Sequence, residues 1–72
     1  MNGLIKKYNL KRLELIDMVG IASMQIARYD KVGELPRGFD SIGELRQYHE
    51  MLLKQYEMYT EVFEDLLKYS ST

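Results

Sequence analysis

No cysteine occurs among the 72 residues of the chain. That absence excludes a disulfide framework, a cysteine-ligated zinc site and a cysteine nucleophile. It also fits a reducing compartment. Histidine occurs once, at His49, so a His-Glu-x-x-His metal motif cannot form. The Glu-x-x-His half-site of di-iron bundles is missing as well, because Arg46 stands three residues before His49. None of Gly33, Gly38 and Gly43 precedes a Lys-Ser or Lys-Thr pair, so no glycine-rich phosphate loop is present. This inventory predicts no enzyme activity, no metal, no cofactor and no small-molecule substrate.

Long apolar runs are also lacking. None approaches the roughly 20 residues needed to cross a bilayer. Lys6 and Lys7 are followed by Lys11 and Arg12, where a secretory leader would carry an apolar core. The expectation is a cytoplasmic protein with no membrane contact.

What is present reads as a folded chain: 46% of residues are apolar and 29% charged, enough of both to build a core and a solvated surface. The length allows one domain, residues 1–72. Net charge is −1, but the charges are unevenly spread. Lys6, Lys7, Lys11 and Arg12 all precede the first acid, Glu14. Glu57, Glu61, Glu64 and Asp65 crowd the far end of the chain, where Lys68 is the one base.

Apolar periodicity predicts two helices, at about 3–29 and about 42–69, with a linker at about 30–40. In the first, Leu4, Tyr8, Leu15, Val19, Ala22, Ile26 and Tyr29 share one stripe at helical spacing, interrupted by Arg12. A second strip, Leu13, Gly20, Met24 and Ala27, adjoins it. In the second helix, Leu45, His49, Leu52, Tyr56, Tyr59, Phe63 and Leu66 alternate at spacings of four and three, the seam of a coiled-coil-like pairing. Tyr48, Met51, Met58, Val62 and Tyr69 flank that seam.

The linker carries its own signals. Gly33 suits a left-handed helix end, and the single proline, Pro36, blocks continuation. Ser41-Ile42-Gly43-Glu44 has the spacing of a capping box, with Ser41 as N-cap and Asp40 as the alternative. Gly-Glu-Leu occurs twice, at 33–35 and 43–45. The first copy belongs to the break before Pro36 and the second begins a helix. Leu35 and Phe39 are expected to fold back over the end of the helices, with Arg37 at the loop tip.

Two helices of similar length and one connection predict an all-α antiparallel two-helix hairpin. That arrangement would set the basic start of the first helix beside the acidic end of the second. The apolar arc of each helix is wider than one partner helix covers. The expectation is therefore that the hairpin dimerises into a four-helix bundle.

The functional expectation is a non-enzymatic protein–protein interaction module: a small adaptor, regulator or inhibitor. Its partners would be itself, as a homodimer, and another protein. The candidate interface is Tyr48, Met51, Met58, Val62 and Tyr69 on the second helix with Gly20, Met24 and Ala27 on the first; tyrosine and methionine suit adaptable interfaces. Ranked second is a small dimeric nucleic-acid-binding regulator using Lys6, Lys7, Lys11 and Arg12. Ranked third is histidine phosphotransfer. His49 and Glu50 on a helical hairpin resemble the histidine–acid pair of histidine-kinase dimerisation domains, which implies that His49 would accept a phosphoryl group. In that family the pair is followed by a basic residue and a proline and lies on the first helix. Here Met51 and Leu52 follow, on the second.

Overall fold

The computed structural model describes residues 2–70. Two helices, α1 (Asn2–Val32) and α2 (Ile42–Ser70), pack against each other as a hairpin, with residues 33–41 between them. The all-helical hairpin expected from periodicity is the observed fold. No described helix is long and apolar enough to cross a membrane.

α1 runs about one turn further than expected. Nothing between Tyr29 and Gly33 breaks a helix, so the chain stays helical to the first residue that can leave that geometry cheaply. Gly33 does so at φ 74°, a left-handed value that favours glycine. Its N–H still donates to the Tyr29 carbonyl at 2.8 Å, which closes the last turn. Pro36 then opens a tight turn: its carbonyl accepts from the Phe39 N–H at 3.4 Å, with Gly38 at φ 96° in the third position.

α2 starts as its sequence predicts, with one displacement. The Glu44 N–H donates to Ser41 Oγ at 3.2 Å, the N-cap bond. The Glu44 carboxylate reaches back at 3.0 Å to the N–H of Asp40 rather than that of Ser41. Two backbone donors at the helix start are satisfied either way. Leu35 and Phe39 are half-buried, and the Phe39 ring lies 5.4 Å from that of Tyr48. The linker does fold back over the hinge end.

The core is thin. Four apolar side chains are buried among the described residues: Leu15, Ala22, Leu45 and Leu52. Val19, Tyr48, Tyr56 and Tyr59 pack around Leu15, Ala22 and Leu52, half in and half out. Towards the open end, where α1 begins and α2 finishes, the Tyr8 and Tyr59 rings meet at 5.7 Å. The predicted seams are therefore the observed ones, except that Leu4 is exposed.

The hairpin is a rod of 51 × 18 × 15 Å with a radius of gyration of 15.6 Å. A compact domain of this length would have a radius of gyration of about 11 Å.

Candidate functional site

Two helices side by side leave two long margins, and here the margins differ in chemistry. One is laced by polar contacts. Arg12 donates from Nε to Thr60 Oγ1 and from Nη1 to Asn9 Oδ1, each at 3.1 Å. Its guanidinium also lies over the Phe63 ring, 4.4 Å from the centroid. Further along, Ser23 Oγ and His49 Nε2 are 3.4 Å apart. Near the hinge, Arg46 and Asp30 form an ion pair at 3.7 Å.

The opposite margin is apolar and grooved. Met18, Ile21, Ala22 and Gln25 of α1 line a depression of about 390 Å³ with Phe39 and Tyr48. Met51, Gln55 and Met58 of α2 line another of about 390 Å³ together with Gln47, Glu50 and Lys54. Steps of three and four residues carry Tyr48 on to Met51, Gln55, Met58, Val62 and Tyr69, so all share this flank of α2. At the open end, Lys6, Lys7, Leu10 and Lys11 join Tyr8 and Tyr59 around a groove of about 670 Å³.

The structure thus brings together five of the expected interface residues and sets three apart. Tyr48, Met51, Met58, Val62 and Tyr69 lie along the apolar margin. Tyr48 is half-buried against the hairpin's own core, so it serves both surfaces. Gly20, Met24 and Ala27 are spaced with Ser23 and lie on its side of α1, towards the polar margin and the outside. All three are exposed, and a Cβ built on Gly20 would meet nothing within 4 Å. The packing of α1 against α2 does not require that glycine.

Neither Met18 nor Ile21 belongs to the stripes and strips that periodicity picked out. Both side chains are exposed, at 40% and 57%. The available signal was positional: Met18 precedes buried Ala22 by one turn, and Ile21 follows Met18 by three residues on the same flank.

The basic cluster is divided in the same way. Lys6, Lys7 and Lys11 are exposed at the open-end groove, and Lys11 pairs with Glu14 on its own helix at 3.8 Å. Arg12 is turned inward and committed to the hairpin. The basic start of α1 does lie beside the acidic end of α2, as the Arg12–Thr60 and Tyr8–Tyr59 contacts show, but without ion pairs between them. Among the described residues, no ion pair joins Lys6, Lys7, Lys11 or Arg12 to Glu57, Glu61, Glu64 or Asp65. Arg12 occupies a seam position and finds an aromatic ring and a threonine there, while the lysines sit on the flank. At the hinge, Arg28 and Glu34 pair at 3.0 Å, and Arg37 is exposed at the loop tip.

His49 is half-buried, with its contact to Ser23 across the helices. No group of three or more His, Asp or Glu side chains among the described residues could hold a metal ion. In comparisons with known proteins, no family model, curated protein or solved structure matches the chain.

Proposed function

We propose that the chain is a non-enzymatic protein–protein interaction module whose working form is a dimeric four-helix bundle. The observation that carries this reading is surface. The hairpin exposes 5626 Å², whereas a folded monomer of this mass exposes about 4,700 Å². Apolar side chains contribute to the excess: Leu10, Ile21, Met51, Met58 and Tyr69 are each at least 46% exposed. Exposed apolar area of that extent marks an association surface. Burying it against further helices extends a core that has four buried apolar side chains among the described residues.

Sedimentation equilibrium across the micromolar range tests the reading. The expected result is a mass of twice the chain's 8.5 kDa, with helicity and melting temperature rising with concentration as mass action requires. A well-folded monomer at all concentrations would overturn it.

Nucleic-acid binding has less support. Three lysines remain at the open-end groove, but Arg12 is turned away and Glu14 sits among them. The chain's net charge of −1 supplies no general attraction for a polyanion.

A further inference from the structure

The two margins of the hairpin are not equivalent, and only one is finished within a single chain. Along the Arg12 margin, side chains from both helices meet each other in polar contacts near the open end, the middle and the hinge end. Along the Ile21 margin, one depression between the helices holds Met18 and Ile21 with Phe39 and Tyr48, and one on α2 alone holds Met51 and Met58, rimmed by Gln47 and the Glu50–Lys54 ion pair. Methionine and isoleucine around open depressions form holes for side chains from another helical surface.

We infer that this margin is covered by a second copy of the chain, laid face to face with open ends together, so that α1 of each copy runs beside α2 of the other. The inference rests on the interaction reading given above and specifies its face and orientation.

Area supports the occupant. The surplus over a compact monomer is roughly 900 Å² per chain, close to the 800 Å² per partner of a standard stable interface. A second copy brings an equal surplus, so one twofold contact of standard size offsets both.

Register and charge support the orientation. Arg12 meets Thr60 across the hairpin, which fixes which residues of α1 and α2 lie at one level. Counting along the two antiparallel helices from that contact, Ile21 is level with Met51, Leu10 with Val62, and Lys7 with Asp65. A twofold axis along the rod keeps every residue at its own level. Ile21 of one copy then faces Met51 of the other, and Lys7 faces Asp65. No ion pair among the described residues engages Lys7 or Asp65 within the hairpin. The reverse placement would bring Lys7 to the hinge end, where Arg28 already has Glu34 and Arg46 already has Asp30.

The test uses the full chain and two readouts. Ile21→Glu and Met51→Glu each put a charge on the inferred face at a side chain exposed in the hairpin. Each is expected to halve the sedimenting mass while the chain stays helical. Met24→Glu, on the far side of α1, is expected to leave the mass at that of the dimer. For orientation, Ser70→Cys supplies a unique attachment point, because the chain has no cysteine. Nitroxides at the two open ends are expected within roughly 20–30 Å of each other, two or three interhelix spacings. Separation near the 51 Å length of the rod would overturn the orientation. A dimer that survives Ile21→Glu and Met51→Glu but is split by Met24→Glu would overturn the face and leave the interaction reading standing. A wild-type monomer would defeat both.

Discussion

The Arg12 guanidinium carbon lies 4.4 Å from the centroid of Phe63 and 5.9 Å from that of Tyr56, with one nitrogen on Thr60. A charged residue thus occupies a position of the apolar stripe and ties α1 to α2 near the open end. A planar cation can lie over a ring and still donate at its edges, which an ammonium group cannot do in the same way.

Arg12→Ala is therefore expected to cost about 1–2 kcal/mol, from the cation–ring contact and the hydrogen bonds together. Arg12→Lys is expected to lose most of the same amount despite keeping the charge. Urea midpoints at one fixed protein concentration measure both. A wild-type midpoint for Arg12→Lys would show that charge alone matters at this position.

Ser41→Ala removes the oxygen that accepts from the Glu44 N–H at 3.2 Å. The expected cost is about 1 kcal/mol, with loss of helicity at the start of α2. Hydrogen exchange at Glu44 reads it locally. Unchanged exchange there would show that Asp40, not Ser41, caps the helix.

The seams, the capping box and the stop at Gly33 were legible because each is a local signal: a spacing, a side chain beside a backbone group, a residue that tolerates positive φ. The flanks were harder to read. Periodicity tells which residues of one helix share a face, but not on which side of a hairpin two such faces come to lie. Gly20, Met24 and Ala27 were grouped with Tyr48 and Met51 because both sets adjoin a seam, yet the contacts of Ser23 and Arg12 place the two sets on opposite sides. The two charged ends do lie side by side, yet without ion pairs between them. Opposite charges at one end of a rod need not touch when Arg12 has a ring to cover and Lys11 has Glu14 one turn along its own helix.

Leu52 is 2% exposed and packs with Leu15 and Ala22. Leu52→Ala is expected to cost about 2–5 kcal/mol, the range for truncating a buried leucine. With four buried apolar side chains among the described residues, this is a large share of a small total. The expected result is loss of the cooperative thermal transition near room temperature. Retention of a wild-type transition would place the main core elsewhere, in the contact between copies.

His49→Ala is expected to leave the hairpin folded, because the 3.4 Å contact with Ser23 is long and exposed. Circular dichroism should change little. A phosphoryl-donor assay on the same pair of proteins separates a structural histidine from a phosphotransfer one. Labelling of the wild type that disappears in His49→Ala would establish phosphotransfer, and no labelling of either is expected.

One substitution at two glycines should have opposite signs. Gly33 holds φ 74° at the end of α1, where alanine would be strained by about 1–2 kcal/mol whatever the space around it. Gly20 lies inside α1 at a helical φ, with open space where a Cβ would go. Alanine there should add roughly 0.5–1 kcal/mol by restricting the unfolded chain and favouring the helix. Thermal melts of Gly33→Ala and Gly20→Ala, run at one concentration, are expected to fall below and rise above the wild type. A Gly20→Ala protein that melts lower, with a smaller sedimenting mass, would mean that another helix approaches α1 at that glycine. The contact between copies would then lie on the Met24 side and not along Ile21 and Met51.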